Sequence, residues 1–552
     1  MAKIFDYSNA QEPGRFRIQT RFLRVLINLF VTLIAGFLYF YLELPALNLQ
    51  SQEFYTFAGL LCVVYILSSL VTSGFRVQGG IREYGRFVKA QCKLPAILLA
   101  ALIAVTLLGG VSSWVVIRAN SYKNLLEVET GDFSAEVAEI SFDKIPMLDE
   151  QSAERLGDRK LGELSDMVSQ FEVAGNYTQI NYKGRPVRVT PLEYGDVIKW
   201  FNNRGNGIPA YLIIDMVTQN VEVVRLKEGI KYSNFEHFGR RLDRHLRFHY
   251  PTYMFSTPNF EIDDDGNPYW VCPRVIKRVG LFGGTDISGA VLVNAITGES
   301  QFYEEIPSWV DRVYNATLIM EQYDYHGVYC NGFFNSIFGQ KDVTQTTSGY
   351  NYIAMNDDVY VYTGVTSAGG DQSNVGFILS NQRTKETRFY SAAGATEYSA
   401  MSSAEGVVQH LNYKSTFPLL LNISAKPTYF MALKDNAQLV KMYAMVNVEQ
   451  YQIVATGKTV AECEQNYIKL LAENRITEEE TFETEVTGKI VEIRSAVRDG
   501  NTFYYLRLEN DPAYYAVSAG EQEAAVILNP GDTVRLRVAA GGDTIKRVLA
   551  LE

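Results

Sequence analysis

The sequence predicts a membrane-anchored α+β protein: three transmembrane helices, extracytoplasmic modules that repeat an antiparallel sheet with a helix, and a small C-terminal β-barrel. Three observations predict this class. Long apolar stretches are concentrated near the N-terminus, similar hairpin sequences recur through the middle of the chain, and residues 484–552 alternate between apolar and polar side chains. At 552 residues the chain also exceeds the size at which one core keeps growing, so several domains are expected.

Three stretches of the segment 1–118 are nearly free of charge and are the predicted membrane spans: 25–44, 55–75 and 95–117. Each has about twenty residues, enough to cross roughly 30 Å of hydrocarbon. A cleaved signal peptide is the alternative interpretation of the first stretch. Its length, and the lack of a small-residue cleavage pattern at Tyr39–Pro45, argue against cleavage.

The distribution of basic residues predicts the orientation of the spans. Residues 1–118 carry eleven Lys and Arg against five Asp and Glu, whereas residues 119–552 carry forty against fifty-seven. Basic residues precede the first span and fill the loop between the second and third, but the loop Pro45–Phe54 contains Glu53 and no basic residue. The positive-inside rule therefore predicts a multi-pass protein of the cell membrane with a cytoplasmic N-terminus. Everything after about residue 118 is then extracytoplasmic.

A juxtamembrane α+β segment is predicted over residues 119–205. Apolar residues at helical spacing predict an amphipathic helix at 152–171. Alternation around a Lys-Gly turn predicts a hairpin at 177–190.

A repeated hairpin sequence predicts how the middle of the chain is built. Val291–Tyr303 and Ile378–Tyr390 share Asn, Thr, Glu, Phe and Tyr at the same offsets, and Leu212–Val224 is a looser copy. An Asn or Asp at the start of the turn accepts local backbone hydrogen bonds before the alternation resumes. The similarity extends to helices that carry His245 and His410, so we interpret the repeat as a duplicated scaffold.

This strand–turn–strand unit with its helix resembles the PepSY domain of bacterial envelope proteins. The likeness is clearest at Gly289–Glu305, which is similar to the closing hairpin of that family; elsewhere the turn glycine is replaced by Gln219 or Lys385. The resemblance implies small α+β modules that bind, inhibit or regulate rather than catalyse. We expect a first repeat region over residues 206–305 and a second, with a Tyr/Gly-rich insert, over residues 306–475.

The C-terminal alternation, broken by Asp-Gly, Asn-Pro-Gly and Gly-Gly-Asp turns, predicts a β-barrel of OB type over residues 481–552. From residue 484 onward the chain carries eight Lys and Arg against ten Asp and Glu. Nucleic-acid binding requires a basic face that neutralises phosphates. We therefore predict no nucleic-acid partner.

One predicted helix is rich in arginine and histidine, His237–His249. Its arginines are candidates for a cationic patch that meets an anionic envelope polymer, a lipid headgroup or an acidic protein. An ordinary amphipathic helix whose arginines pair with neighbouring carboxylates is the alternative. The candidate binding residues are Arg240, Arg241, Arg244 and Arg247.

An acidic turn is the candidate metal site. Glu261, Asp263 and Asp265 place oxygen atoms at alternate positions, as calcium-binding loops do. The position where such a loop has a bidentate Glu is Cys272. A tight turn between two strands is the alternative, and the departure at Cys272 favours it.

The predicted function is that of a binding, scaffold or regulatory protein of a bacterial cell envelope, with an envelope protein or an anionic polymer as its partner. No catalytic residue and no cofactor are predicted, because the chain lacks nucleophile-elbow, zinc-helix and phosphate-loop patterns. Five cysteines make a poor disulfide framework. Cys272 and Cys330 either pair or remain free.

Two alternatives belong to other classes of protein. An envelope enzyme acting on glycan or peptide would use carboxylates such as Asp263, Asp265, Asp357 or Asp371. The aromatic run Tyr323–Phe338 would line its groove, or else belongs to the core.

An accessory subunit of a membrane transport complex is the other alternative. In that case Gly109 and Gly110 of the third span would pack closely against another helix.

Overall fold

The computed structural model of the protein describes most of the chain. The chain forms two units, Met1–Cys463 and Glu464–Glu552. The described residues are 21–74, 81–138, 145–355, 357–367, 373–474, 476, 484–498, 501–509, 511–520, 522–538 and 545–551.

Three N-terminal helical segments are long and apolar enough to cross a membrane, at the places the sequence predicts. The third is a composite, with a π-helical turn at Val88–Cys92 between two α-helices. The spans are α1 (Arg21–Glu43), α2 (Gln52–Ser73), and α3 (Ile81–Phe87) continued as α4 (Lys93–Ser112).

Polar contacts join the first two spans. The side-chain oxygen of Asn28 accepts hydrogen bonds from the hydroxyls of Ser68 (2.8 Å) and Thr72 (3.0 Å). Gly36 lies so close to Leu61 that a Cβ atom would come within 2.8 Å of it. Small residues and interhelical hydrogen bonds of this kind are how helices associate in lipid.

The third span ends at Ser112, before the predicted end at residue 117, because a hairpin meets it there. Ser113 Oγ donates to Gly109 O and accepts from Phe282 N, both at 2.9 Å. A Cβ atom on Gly109 would lie 2.7 Å from Leu281 and 2.6 Å from Phe282. Gly109 therefore packs against this hairpin, whereas the accessory-subunit alternative has it packed against another helix.

Four short elements lead from the third span to the sheets. Among them, β1 pairs in parallel with a strand of the third sheet. The helix predicted at 152–171 is shorter than expected and ends at Gly162, because the chain turns there before it enters the next strand. The four elements are α5 (Val115–Lys123), β1 (Val128–Gly131), α6 (Phe133–Glu136) and α7 (Glu150–Gly162).

The first sheet contains the hairpin predicted at 177–190. The predicted boundary between residues 205 and 206 falls inside this sheet, since the third and fourth strands on either side of it pair. The elements are β2 (Phe171–Val173), β3 (Thr178–Tyr182), β4 (Arg185–Tyr194), α8 (Val197–Asn203), β5 (Ile208–Asp215) and β6 (Val221–Ile230).

Three further sheets follow, each preceded by a helix. The second comprises α9 (Leu242–His249), β7 (Met254–Phe255), β8 (Asn259–Ile262), β9 (Pro268–Val279), β10 (Gly283–Asn294) and β11 (Ser300–Tyr303). The third comprises α10 (Ala316–Val328), β12 (Thr344–Thr346), β13 (Asn351–Met355), β14 (Asp358–Ser367), β15 (Ser373–Asn381) and β16 (Thr387–Ala395). The fourth comprises α11 (Glu397–Val407), β17 (Lys414–Ser415), β18 (Leu419–Ile423), β19 (Lys426–Lys434), β20 (Val440–Asn447) and β21 (Val454–Gly457), after which α12 spans Val460–Glu473.

All four sheets have the same connectivity. In each, the first two strands both pair with the third, and the third, fourth and fifth strands form an antiparallel meander. The sequence predicts two regions where the structure has four sheets, because only the hairpin between the fourth and fifth strands carries a visible pattern. In the fourth sheet that hairpin keeps Asn447 at the start of its turn but lacks the Thr-Gly-Glu sequence.

The turns of these hairpins show why the sequence pattern recurs. The side-chain oxygens of Asp215, Asn294 and Asn381 each accept hydrogen bonds from the backbone N–H groups two and three residues later, at 2.8–3.0 Å. The side chain thereby fixes the backbone of two turn residues through hydrogen bonds made within the turn itself.

The residue that closes each turn has a left-handed backbone. Gln219 has φ 60°, Gly298 has φ 77° and Lys385 has φ 69°. Gly is the ordinary choice for this conformation, which costs other residues about 1–2 kcal/mol. The replacement of Gly by Gln219 and Lys385 therefore leaves the conformation of the turn unchanged.

The C-terminal unit contains a closed five-stranded barrel in the order β22-β23-β24-β26-β25. Its core includes the buried residues Leu506, Tyr515, Val517 and Leu536. The strands are β22 (Thr484–Arg498), β23 (Asn501–Leu508), β24 (Tyr514–Ser518), β25 (Thr533–Val538) and β26 (Ile545–Leu551).

Candidate functional site

A cavity of about 800 Å³ lies where the four sheets meet. In each of the four sheets, the segment between the first and second strands contributes residues to the cavity lining. Equivalent parts of all four sheets therefore form its wall. These residues are Asn176 and Tyr177, Ser256 and Thr257, Tyr350, and Thr416 and Phe417.

Hydrogen bonds between the sheets hold the wall of the cavity together. Asn351 Nδ2 donates to the carbonyl of Pro418 at 3.2 Å, joining the third and fourth sheets. Asn315 Nδ2 donates to Ser256 Oγ at 3.2 Å, which joins the helix of the third sheet to the second sheet.

Arg188 of β4 contributes a buried positive charge to the cavity. Its guanidinium donates to Tyr177 O at 3.3 Å and lies 3.8 Å from Glu150, whose side chain is 63% exposed. Arg188 itself is only 5% exposed, and its Nε atom has no hydrogen-bond partner within the described part of the chain. Burial lowers the pKa of Arg188; Glu150 opposes this effect and Arg312 adds to it.

Arg312 brings a second guanidinium to the same cavity. It donates to the hydroxyl of Tyr352 at 2.9 Å and lies 4.7 Å from the centre of that ring. Its Nε atom also has no acceptor among the described residues. The buried Nε atoms of both Arg188 and Arg312 are thus left without an acceptor among the described residues.

A pair of buried carboxyl groups holds the backbone beside Arg312. Glu261 accepts hydrogen bonds from the N–H groups of Asp311 (2.8 Å) and Arg312 (3.0 Å), and Asp311 accepts one from Asn181 N at 2.7 Å. Burial raises the pKa of Glu261 to about 7. Burial and the neighbouring Glu261 raise the pKa of Asp311 well above its ordinary value.

Three carboxylates also line the cavity, Asp149, Glu150 and Glu321, and Asp149 is already paired with a lysine. Lys434 Nζ lies 2.5 Å from its Oδ2 atom, while Oδ1 caps α7 by accepting from Ser152 N at 2.9 Å. Although burial acts to raise it, the hydrogen bonds from Lys434 and Ser152 lower the pKa of Asp149. Among the described residues that line the cavity, the buried side-chain atoms without a hydrogen-bond partner are the Nε atoms of Arg188 and Arg312.

The arginines predicted to form a binding patch lie elsewhere, and two of them are buried against the first span. Arg247 Nε donates to Leu44 O at 2.8 Å, and Arg244 Nε donates to Tyr41 O at 3.2 Å. These two residues are 8% and 7% exposed. They fix α9 to the end of α1 and are not available to an external polymer.

The other two arginines of the predicted patch have different partners. Arg240 donates to the carbonyl of Arg204 at 2.7 Å, and Arg241 forms an ion pair with Asp243. The alternative interpretation, in which arginines pair with neighbouring carboxylates, thus describes Arg241 but not Arg240.

The candidate metal ligands are not gathered into a site. Glu261 is buried and faces the backbone of residues 311 and 312, whereas Asp263 accepts from Asp265 N (3.0 Å) and Asn267 N (2.8 Å) within the hairpin turn. Among the described residues, no group of three or more His, Cys, Asp or Glu side chains is arranged to hold a metal ion. The acidic sequence forms a turn.

The carboxylates considered for catalysis lie in hairpin turns of different sheets. Asp263 and Asp265 belong to the turn before β9, and Asp357, with φ 66°, belongs to the turn before β14. Asp371 lies outside the described residues. None of the five cysteines, all of which are among the described residues, forms a disulfide, and burial raises the pKa of the Cys272 thiol.

Sequence reasoning misses Arg188 and Arg312 because local alternation carries no information about them. Arg188 follows Val187 and precedes Val189 on β4, a pattern typical of a residue that points to solvent. All three are buried, since the second face of β4 is covered where the sheets converge.

Neither a protein-family model nor a curated protein matches this chain. Among solved structures, a levansucrase variant from B. megaterium is similar over 78% of this chain and 96% of its own, at 10% identity. The TM-score of that similarity is 0.18, which supports no argument about fold or function.

Proposed function

We propose that this protein is a membrane-anchored binding or regulatory protein of a bacterial cell envelope, and that its central cavity holds an anionic group of its ligand. The unpartnered N–H of the buried Arg188 beside Arg312 is the observation that carries this proposal. The ligand is a carboxylate- or phosphate-bearing part of an envelope polymer or of a partner protein.

The physical argument rests on what a buried guanidinium requires. A buried charge without a partner is costly, and a carboxylate or phosphate offers two oxygens that match the planar fork of arginine. Such a group placed between Arg188 and Arg312 would satisfy the free donors of both and remove their mutual repulsion. A volume of about 800 Å³ is also within the range of ordinary ligand pockets.

Two features support the envelope location and the modular construction. The ends of all three spans that contact the second sheet lie on one side, at Leu44, Gln50 and Ser113. The basic residues Arg82, Arg86 and Lys89 are at the opposite end of the third span. The shared connectivity of the four sheets supports copies of one PepSY-like module. Parallel pairing of β24 with β26 supports a barrel of OB type.

The test is calorimetric titration of the detergent-purified full chain with glucuronate, inorganic phosphate and neutral glucose. We expect at least one anion to bind and glucose not to bind. Arg188→Leu should weaken that binding at least about tenfold, because a charge-assisted bidentate contact is lost.

Arg185→Leu is the matched control, because this arginine lies on the same strand with a side chain that is 59% exposed and only a 3.5 Å contact to Asp215. Binding of the anion should be unchanged in this variant. No anion binding to the parent protein, or an equal loss in both variants, would refute the proposal.

A further inference from the structure

Large apolar side chains are exposed in two patches outside the spans. The first apolar patch is on α8 and the turn before α9. The second is on the turn that follows α4, on the first turn of α5 and on the loop after α10. The first comprises Val197, Ile198, Phe201 and Phe238, and the second comprises Trp114, Ile117, Phe334, Ile337 and Phe338; exposed fractions reach 73% at Ile198 and 80% at Phe338.

The first apolar patch is a single surface with cations at its edge. Val197, Ile198 and Phe201 share one face of α8 by their spacing. The ring of Trp200 lies 6.0 Å from that of Phe238 and connects the helix to the turn. The guanidinium of Arg204 lies 4.6 Å from the centre of the Phe201 ring.

This patch is tied directly to the end of the first span. The carbonyl of Phe238 accepts a hydrogen bond from Arg244 Nη1 at 3.0 Å. The guanidinium of Arg244 also lies 4.1 Å from the centre of the Tyr41 ring, in the last turn of α1. The first apolar patch therefore lies beside the end of the first span.

The second apolar patch is tied to the end of the third span. Trp114 follows α4 after a single residue, and α5 presents Ile117 from its first turn. The loop that carries Phe334 and Phe338 is held to α5 by Lys123 Nζ, which donates to Cys330 O at 2.9 Å.

We propose that the two apolar patches rest in the surface of the bilayer and form a collar around the spans. Apolar and aromatic side chains with Arg or Lys at the edge are the composition of interfacial membrane contacts, and Trp is enriched at that depth. A soluble surface would rarely leave so many large apolar side chains together in water. Continuity with the ends of α1 and α4 identifies lipid as the occupant, independently of the ligand of the cavity.

The test measures quenching of tryptophan fluorescence by brominated lipids in nanodiscs that hold one copy of the full chain. Phe201→Trp and Phe338→Trp place a reporter in each patch, and the unsubstituted protein supplies the background from the native tryptophans. Leu439→Trp is the matched control, because Leu439 is 53% exposed between β19 and β20 of the fourth sheet, whereas the span ends are bonded to the second sheet.

We expect bromination to quench the added fluorescence at 201 and at 338 by at least about twice the fraction quenched at 439, since bromine quenches at close range within the acyl region. Quenching at only one of the two positions, or at neither, would overturn the collar. That negative result is the one expected if the patches are covered in cells by a second copy or by a partner protein and do not contact lipid.

Discussion

At Glu261, protonation and folding stability are coupled. Its pKa in the folded chain is about 7, above its ordinary value of 4.5, so the folded state keeps a proton that the unfolded state loses. The free energy of unfolding contributed by Glu261 is therefore greatest below about pH 4.5 and falls as the pH rises towards 7. The raised pKa of Asp311 acts in the same direction.

We expect Glu261→Gln to flatten the dependence of thermal stability on pH between about 5 and 7, because Gln cannot release a proton. Its amide would also face a backbone N–H, at a cost of about 1–3 kcal/mol. The measurement is thermal unfolding of the purified protein at several pH values. Glu299→Gln, at an exposed position, is the control, and an equally steep dependence in Glu261→Gln would contradict this assignment.

The left-handed turn residues allow a paired test of backbone strain. Gln219→Gly should stabilise the protein by about 0.5–1 kcal/mol, because Gly adopts a positive φ without the cost that a Cβ atom imposes. Gly298→Ala should destabilise it, since the new Cβ atom would lie 2.3 Å from the ring of Tyr232. The measurement is the unfolding temperature of each variant; a fall in Gln219→Gly would be the contrary result.

At the scale of single elements, the contact between the third span and the hairpin before β10 can be tested with adjacent glycines. Gly109→Ala should force apart Leu281 and Phe282, whereas nothing described lies within 4 Å of a Cβ atom on Gly110. We expect faster hydrogen exchange at residues 280–283 in Gly109→Ala and parent-like exchange in Gly110→Ala. The same exchange in both variants would show that the hairpin does not pack closely on the span.

The docking of α9 on the first span depends on the fork of Arg247. Its Nε atom donates to Leu44 O and its Nη1 atom donates to Tyr253 O. Arg247→Met removes these bonds and leaves buried carbonyls without donors, which we expect to cost about 2–3 kcal/mol. Arg247→Lys keeps the charge but satisfies fewer carbonyls, so its unfolding temperature should lie between those of Arg247→Met and the parent.

Elements whose stability depends on local patterns are predictable from this sequence, and those that depend on neighbours are less so. The spans, the hairpin of β3 and β4 and the turn at Asn294 follow from apolar length, alternation and turn chemistry. The end of the third span at Ser112 does not, because it is fixed by hydrogen bonds to Phe282, far along the chain. The division of the second repeat region into two sheets does not follow either, since the hairpin of the fourth sheet lacks the recurrent sequence.

At the scale of the whole molecule, the cavity is the feature that cannot be predicted from a local sequence pattern. Arg188 and Arg312 are 124 residues apart in the sequence, and the sheets that carry their neighbours converge only in the folded chain. The arginine-rich helix is conspicuous in the sequence, yet two of its arginines serve to attach it to a span. A conspicuous composition therefore does not by itself identify a binding surface in this sequence.

The proposed orientation predicts which cysteines a membrane-impermeant maleimide will reach in intact cells. Cys330 is partly exposed and lies on the side of the sheets, whereas Cys92 is buried in the third span. We expect labelling of the parent protein that disappears in Cys330→Ser. Arg86→Cys, added to Cys330→Ser, should stay unlabelled in intact cells and become labelled after permeabilisation; the reverse pattern would invert the topology.

The third span is separated from α5 by only Ser113 and Trp114, and the second sheet is bound to the ends of all three spans. In the described part of the chain, no long linker separates the third span from α5. In the proposed membrane orientation, the cavity is kept at one height above the bilayer, and it samples a thin layer instead of a sphere. A ligand that is itself confined to that layer would meet the cavity at a much higher effective concentration than one free in bulk solution.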